Sequence, residues 1–301
     1  ALTGVIENKG ILKNLKNGND LGIINTHTSI INDSLLINES KVRNYKNATI
    51  TNNNTITNKD KFYNYGQITN NSSLETQVEF HNYNLVTNNK TITAYGTYKN
   101  YKTNETNTDN VDLTGTKGQT INKEIFNFTS GTLINSGLID NDSTFTVSGT
   151  LTNDSYGIID SMRELVISGT GSIINKSQIT NSGVLTNNNS LVNEFGVLKG
   201  TITNVGTIDN NGTFINKSTF MSTNTFNNYN IFKIYFNGTL TTTNTLKNDS
   251  TFINYGSVTN SGTIRTNSEF KNYRTLSMSV GSLLVNSSSF TNYNTGVSNA
   301  D

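Results

Sequence analysis

The stretch FYNYGQITNNSSLETQVEFHNYNL, residues 62–85, returns to an apolar residue at every sixth position. Phe62, Ile68 and Leu74 mark this repeat, and Asn64 stands two residues after the first of them. Six is not a helical period, and Asn, Thr and Gly are weak helix formers. A six-residue unit suits a short strand followed by a corner, because alternate side chains of a strand share a face. The apolar residue and the Asn are therefore predicted to point inward.

The same hexad continues through most of the chain. Counting by six from Ile6 reaches Ile24 and Val42, and the count resumes at Ile50 after a step of eight. Asn at a repeated inward position can form a hydrogen-bonded amide ladder between turns. The Asn residues predicted to form such a structural ladder are Asn52, Asn58, Asn64, Asn70, Asn82 and Asn88.

A longer period lies inside the short one, because the hexad Phe-x-Asn-Tyr returns at intervals of 18 or 20 residues. Three hexads per turn predict an all-β fold: a triangular, single-stranded parallel β-helix (β-solenoid) with 18–20 residues per turn. We predict one continuous solenoid over residues 1–301. Residues 104–132 and 152–172 lose the strict repeat, and there we expect irregular turns or loops.

Tyrosines at the fourth hexad position are predicted to form two columns that face outward or lie at a corner. They are Tyr45, Tyr65, Tyr83 and Tyr101 in the first column and Tyr235, Tyr255, Tyr273 and Tyr293 in the second. Simple ring stacking that stiffens the coil explains such columns. The functional interpretation is a surface for ligand binding or self-association, since exposed aromatic stripes tend to mark contact sites.

Composition excludes several classes of protein. The chain has no Cys, which excludes a disulfide framework and a thiolate metal site, and we predict neither a metal nor a cofactor. Its 22 basic and 21 acidic residues are interleaved, so that the net charge is only +1 and no nucleic-acid partner is expected. No apolar run approaches the roughly 20 residues of a membrane span.

The chain resembles the repetitive Asn/Thr-rich solenoid passengers of bacterial surface adhesins and filamentous haemagglutinin-like proteins. The segments that carry this resemblance are ITNNNTITN, TLINSGLIDNDST and TITNVGTIDNNGT. The three-hexad turn also resembles left-handed parallel β-helix proteins. Their acyltransferase members carry a small residue after the apolar one, where this chain has Thr, Ile or Lys. The adhesin coils are mostly right-handed, so the two resemblances leave the handedness open. The adhesin resemblance implies a protein of the cell surface.

Residues suited to catalysis are sparse, and we predict that the protein is not an enzyme. The main alternative to a structural role is a polysaccharide-binding or polysaccharide-cleaving β-helix protein, in which cleavage could use the densest acidic group. This group comprises Asp140, Asp142, Asp154, Asp160 and Glu164. A minor alternative is ice binding through ranks of threonines such as Thr55 and Thr91, which Ser73 and Glu75 interrupt. His27 and His81 have no catalytic setting, and His81 is expected at the solvated surface.

These observations predict an extracellular structural or adhesive solenoid rod, either a cell-surface adhesin or a self-assembling filament or sheath subunit. It would act by multivalent contacts along a repetitive Asn/Thr/Tyr-rich face. The expected partners are further copies of the chain, in end-to-end or lateral assembly, and surface glycans or a host or cell surface. The chain opens with Ala1 rather than Met, which fits a secreted protein whose signal peptide has been removed and fits a shortened chain equally.

Overall fold

The computed structural model describes residues 5–15, 23–25, 29–102, 117–195, 197, 199–293 and 297–299. These residues form 43 short strands, nearly all of four residues, and no helix. The chain divides into two compact units. The first comprises residues 1–151 and 156–158, and the second comprises residues 152–155 and 159–301.

The first unit contains the strands β1 (Val5–Asn8), β2 (Ile11–Asn14), β3 (Ile23–Asn25), β4 (Ser29–Asn32), β5 (Leu35–Asn38), β6 (Lys41–Asn44), β7 (Thr49–Asn52), β8 (Thr55–Asn58), β9 (Lys61–Asn64), β10 (Gln67–Asn70), β11 (Ser73–Thr76), β12 (Glu79–Asn82), β13 (Leu85–Asn88), β14 (Thr91–Ala94), β15 (Thr97–Asn100), β16 (Gln119–Asn122), β17 (Ile125–Phe128), β18 (Thr132–Asn135), β19 (Leu138–Asn141) and β20 (Thr144–Val147). Strands β21 (Thr150–Asn153) and β22 (Ile158–Ser161) each contain residues of both units.

The second unit contains the strands β23 (Glu164–Ile167), β24 (Ser172–Asn175), β25 (Gln178–Asn181), β26 (Val184–Asn187), β27 (Ser190–Asn193), β28 (Thr201–Asn204), β29 (Thr207–Asn210), β30 (Thr213–Asn216), β31 (Thr219–Ser222), β32 (Phe226–Asn228), β33 (Ile231–Ile234), β34 (Thr239–Thr242), β35 (Thr245–Asn248), β36 (Thr251–Asn254), β37 (Ser257–Asn260), β38 (Thr263–Thr266), β39 (Glu269–Asn272), β40 (Thr275–Met278), β41 (Leu283–Asn286), β42 (Ser289–Asn292) and β43 (Val297–Asn299).

Every strand pairs in parallel with the strand three places along the chain, so each unit has three sheets. In the first unit we name them A1 (β1 to β19), B1 (β2 to β20) and C1 (β3 to β18), each taking every third strand. In the second unit they are A2 (β25 to β43), B2 (β23 to β41) and C2 (β24 to β42). This arrangement confirms the predicted parallel β-solenoid with three hexads per turn.

Two inward positions of each strand build the interior. In β8, Ile56 and Asn58 are buried whereas Thr55 and Thr57 are half-exposed, and most other strands repeat this alternation. Equivalent apolar residues stack from turn to turn. The Phe62 ring lies 5.1 Å from the Phe80 ring, and the Phe252 ring lies 4.3 Å from the Phe270 ring. The apolar residues therefore form a thin core, as the hexad predicts.

The buried Asn residues form hydrogen-bonded ladders behind each sheet. Asn64 Nδ2 donates to Asn82 Oδ1 at 2.9 Å and to the Leu85 carbonyl at 3.0 Å, and Asn64 Oδ1 accepts from Asn44 Nδ2 at 2.8 Å. The predicted ladder residues all take part, in the links Asn52–Asn70, Asn70–Asn88, Asn58–Thr76, Asn64–Asn82 and Asn82–Asn100. Each amide donates to the next turn and accepts from the previous one, so no inward polar group of these rungs lacks a partner.

The length of a turn varies more than predicted. Most rungs join residues 18 or 20 apart, as Asn52 to Asn70 does, but Asn187 and Asn210 are 23 apart and Asn8 and Asn32 are 24 apart. In the turn from Asn187 to Asn210 the extra residues lie between strands β27 and β28, and the register of β26 with β29 is unchanged.

The hexad count is wrong at Ile24. The register pairs Ile23 with Val42 and Ile24 with Arg43, so Ile23 occupies the core position. The reason is a spacing of 11 rather than 12 residues from Leu12 to Ile23, which a count by six cannot detect.

The two stretches predicted to be irregular contain strands. Residues 104–132 include β16 and β17, and residues 152–172 include β22 and β23, while residues 103–116 lie outside the described residues. Continuity over residues 1–301 stays a prediction.

Glycine at the fifth hexad position allows the backbones of adjacent corners to approach closely. A Cβ on Gly206 would lie 1.9 Å from the Gly183 carbonyl oxygen, a distance that side chains do not tolerate. At Gly131 a Cβ would lie 2.4 Å from the Gly96 carbonyl oxygen, and the φ of +86° adds a backbone strain that glycine avoids.

The amide ladder predicts the effect of Asn64→Ala. The substitution removes both hydrogen bonds that Asn64 donates and the one that it accepts, in a fully buried place. We expect it to lower the free energy of unfolding by about 2–4 kcal/mol, because the remaining partners stay buried and unsatisfied. Urea denaturation followed by circular dichroism measures this change.

Two variants control for this experiment. Asn64→Thr should lower the free energy of unfolding by clearly less, because a threonine hydroxyl can accept the same hydrogen bond. Thr76 Oγ1 already accepts one from Asn58 Nδ2 at 2.9 Å. Asn71→Ala, in an exposed rung to Asn53, should cost less than about 1 kcal/mol. Equal losses for all three variants would show that the inward amides do not carry this stability.

Candidate functional site

The first predicted tyrosine column lies at the corner that follows sheet C1. Its rings stack in sequence, with centroid distances of 5.9 Å for Tyr45–Tyr65, 4.8 Å for Tyr65–Tyr83 and 3.8 Å for Tyr83–Tyr101. Tyr45 is half-buried, but Tyr65, Tyr83 and Tyr101 are buried, with at most 8% of their surface exposed. The column therefore lies at a corner, which is one of the two predicted placements, but Tyr65, Tyr83 and Tyr101 do not face solvent.

Neighbouring aromatic side chains explain why the column is covered. The Tyr63 ring lies 6.3 Å from the Tyr65 ring and 4.8 Å from the His81 ring, and His81 Nδ1 lies 2.7 Å from the Tyr101 hydroxyl oxygen. Tyr63 and His81 occupy adjacent rungs of sheet C1. They close the surface beside the tyrosines, so this column belongs to an aromatic cluster that packs the corner. Whether it binds a ligand stays a prediction.

His81 is a packing residue rather than a solvated one. Its Nε2 lies 3.1 Å from a Glu79 carboxylate oxygen. Burial lowers the pKa of His81, although the hydrogen bond and the charge of Glu79 act against this shift. Burial alone would raise the pKa of Glu79, but the hydrogen bond with His81 and the charge of Lys61 outweigh it and lower that pKa. The cluster therefore holds an ionised Glu79 beside a His81 that resists protonation.

The second predicted column is exposed. Tyr235, Tyr255, Tyr273 and Tyr293, here called the tyrosine ladder, show between 38% and 57% of their surface to solvent. The ring centroids are 6.4 Å apart for Tyr235–Tyr255, 4.8 Å for Tyr255–Tyr273 and 4.4 Å for Tyr273–Tyr293. The last two rings are parallel to within 2°. Strands β33, β36, β39 and β42 of sheet C2 place these side chains at one corner, one on each turn.

The phenols of the tyrosine ladder interact with each other. The pKa of Tyr273 is raised above its ordinary value, first by the loss of hydration in the stack and then by a hydrogen bond with Tyr293. The Tyr273 phenol therefore stays protonated to a higher pH than that of an ordinary tyrosine. Its hydroxyl group can then both donate and accept a hydrogen bond.

Two further residues beside the ladder were not found from the sequence. The guanidinium carbon of Arg274 lies 3.8 Å from the centre of the Phe236 ring, and Arg274 Nη1 donates to the Phe236 carbonyl at 2.7 Å. Phe236 is 66% exposed, which is unusual for such a large apolar side chain. The position directly after each ladder tyrosine could have revealed this pair in the sequence. Gly256 and Asn294 stand there after two of the tyrosines, whereas Phe236 and Arg274 stand there after the other two.

The other candidate residues do not form a site within one unit. Asp140 and Asp142 belong to the first unit, whereas Asp154, Asp160 and Glu164 belong to the second, and His27 lies outside the described residues. Among the described residues no group of three or more His, Cys, Asp or Glu is placed to hold a metal ion. In the same residues there is no helix with the length and apolar character needed to cross a membrane.

Comparison with known proteins finds no match: no family model, no curated protein and no solved structure is significantly similar to this chain. The functional interpretation therefore depends on the residues themselves. The tyrosine ladder is the most exposed of the predicted surfaces, so it is the candidate functional site.

The buried tyrosine Tyr98 gives a prediction for alkaline pH. Its hydroxyl lies 2.9 Å from Thr120 Oγ1 inside the first unit, and burial raises its pKa. Unfolding exposes the phenol, whose pKa is then about 10. The folded state therefore retains the proton that the unfolded state loses, and stability falls as the pH rises above about 10, by about 1.4 kcal/mol per pH unit for this group.

The variant Tyr98→Phe keeps the ring but removes the titrating hydroxyl. We expect its unfolding free energy to fall less steeply between pH 9 and pH 11 than that of the unmodified protein, as urea denaturation at each pH will measure. Tyr229→Phe, which alters an exposed tyrosine, is the matched control. Identical slopes for all three proteins would contradict the prediction.

Proposed function

We propose that this protein is an extracellular, non-enzymatic adhesive protein that contacts surface glycans through the tyrosine ladder of its second unit. The observation that carries this proposal is the exposure of four tyrosines at equivalent positions on successive turns. Aromatic side chains with a polar tip are favoured at binding surfaces, because they contribute apolar area together with a hydrogen-bonding group. Repetition then makes the contact multivalent.

Multivalent contact explains why no deep pocket is needed. Each tyrosine alone would contribute a weak interaction, but neighbouring rungs hold their rings only 4.4–6.4 Å apart. Once a repetitive ligand binds one rung, its next unit meets the next rung at high effective concentration. The backbone pairing between turns fixes these spacings before the ligand arrives, so binding costs little ordering of the protein.

The double variant Tyr255→Ala/Tyr273→Ala tests this proposal. We expect it to lose binding to the glycans that the unmodified protein retains on a glycan array, by roughly tenfold or more, since truncation of interface tyrosines commonly costs 1–2 kcal/mol each. The control is Tyr229→Ala, which removes a tyrosine of similar exposure that follows strand β32 of sheet B2. The urea midpoint of each variant verifies that it is folded.

Three outcomes separate this proposal from its alternatives. Glycan retention together with new reducing ends would identify a polysaccharide-cleaving protein. Fibres instead of discrete particles in electron microscopy would identify a self-assembling filament or sheath subunit. Absence of retention on every glycan would contradict the adhesive proposal, and labelling of intact, unpermeabilised source cells by an antibody against the chain tests the extracellular location.

A second candidate, ice binding, is favoured by the outward face of sheet A2. Two parallel ranks of hydroxyl side chains lie there in register, with Met221 as the one interruption from β28 to β40. They are Thr201, Thr219, Thr239, Ser257 and Thr275 in one rank and Thr203, Met221, Thr241, Thr259 and Ser277 in the other. In sheet B1 the corresponding face is interrupted by Glu75, which lies between Thr57 and Thr93, while Ser73 lies between Thr55 and Thr91.

The substitution Thr241→Lys at the centre of these ranks tests the ice-binding candidate. If the ranks order water against ice, the unmodified protein slows ice recrystallisation, and Thr241→Lys removes this activity because a long charged side chain disrupts the flat face. Thr93→Lys, on the already interrupted face of sheet B1, should keep the activity. An unmodified protein without any effect on ice growth would eliminate this candidate.

A further inference from the structure

The central ring of the tyrosine ladder, Tyr273, presents its edge rather than its faces to solvent. Tyr273 lies between Tyr255 at 4.8 Å and Tyr293 at 4.4 Å, and both neighbours are close to parallel with it. Its two faces are therefore covered, so the part of the ring that remains open to solvent is its edge with the hydroxyl group. An aromatic ring carries partial negative charge on its face and partial positive charge on its edge. Tyr273 thus offers a weakly positive edge and a hydroxyl group, and the other ladder tyrosines add further hydroxyl groups on the neighbouring turns.

Cationic side chains surround the tyrosine ladder. Lys233 and Lys271 lie in the adjacent outward column of sheet C2, separated by Ile253 in the strand register, and Arg274 follows Tyr273 directly. Lys233 and Arg274 have no carboxylate partner among the described residues, whereas Lys271 Nζ lies 2.6 Å from a Glu269 oxygen. Lys217, near Tyr235, is paired with Glu194 at 2.8 Å.

The local charge is positive although the whole chain is almost neutral. The four cations and two carboxylates around the ladder give a net charge of +2, against +1 for all 301 residues. On the opposite side the ladder adjoins sheet A2, whose nearer outward column consists of Thr239, Ser257 and Thr275. The ladder therefore lies between a cationic column and a column of hydroxyl groups.

We infer that the tyrosine ladder binds an anionic polysaccharide of the uronic-acid type, an inference that rests on the function proposed above. Sugar hydroxyls suit the phenol and Thr/Ser hydroxyls, and carboxylates at regular intervals suit the Tyr273 ring edge, Lys233 and Arg274. Single-stranded nucleic acid is a poorer fit. Its bases need open aromatic faces and its phosphates need a denser cationic groove than this one.

The test compares two forms of one polymer, polygalacturonate and its fully methyl-esterified derivative, in which each carboxylate is replaced by a neutral methyl ester. We expect the complete chain to bind polygalacturonate at least about tenfold more tightly than the neutral ester. Raising the ionic strength from about 0.05 M to about 0.5 M should reduce this preference, because it shortens the screening length. Biolayer interferometry with either polymer on the sensor measures both effects.

Lys233→Gln/Arg274→Gln is the variant that isolates the charge. We expect it to weaken polygalacturonate binding by about tenfold and to leave binding of the methyl ester unchanged. Lys247→Gln, in sheet B2, alters a partly exposed lysine that is away from the ladder and paired with Asp249, and it should change neither. Since all three side chains lie at the surface, matching urea midpoints will show that the variants are folded.

The outcomes distinguish this inference from the function on which it rests. Equal, salt-insensitive binding of both polymers overturns the anionic specificity and leaves the adhesive function standing. The same conclusion follows if Lys233→Gln/Arg274→Gln loses binding to the methyl ester as well as to polygalacturonate. Equal binding of polygalacturonate and an oligothymidylate overturns the choice of polysaccharide. Binding of no glycan at all overturns the adhesive function itself.

Discussion

The amide ladder is the interaction on which the rest of this structure depends. A narrow solenoid brings polar side chains as well as apolar ones into its interior, and a buried polar group without a partner would destabilise each turn. Asn solves this problem because its amide donates and accepts at once, so that one residue type satisfies itself when it is stacked on equivalents such as Asn82 on Asn64. The amide ladder also fixes the register between neighbouring strands. A shift of one residue would turn these amides to the outward face and break all of their hydrogen bonds at once.

A fixed register determines what the surface can do. Because each outward position lies above its equivalent on the previous turn, any side chain that recurs with the period of the turn becomes a column. The tyrosine ladder and the hydroxyl ranks of sheet A2 both arise in this way. The interior is nearly uniform in both units, so the differences between faces come from the outward positions alone. Such a design separates stability from recognition.

The sequence predicts the interior far better than the surface. The hexad identifies the inward Asn and apolar residues, because both burial and hydrogen bonding repeat with the same period. It does not distinguish the buried Tyr65 from the exposed Tyr255, because both stand in the same Phe-x-Asn-Tyr hexad. Their exposure depends on the neighbouring column, where Tyr63 and His81 cover one set while Lys271 leaves the other open. The error at Ile24 has a similar origin, since corner length varies independently of the strand pattern.

Variable corners have a consequence for how this chain can change. Between β27 and β28 the chain inserts additional residues, and Gly200 N closes the excursion by donating to the Glu194 carbonyl at 3.0 Å. The rung on its near side is intact, with Asn193 bonded to Asn216 at 2.8 Å, and β28 still pairs in register with β25. Length added at a corner therefore leaves the scaffold undisturbed. A foreign peptide grafted there would be held outside the wall, which makes this corner a natural position for evolutionary or engineered display.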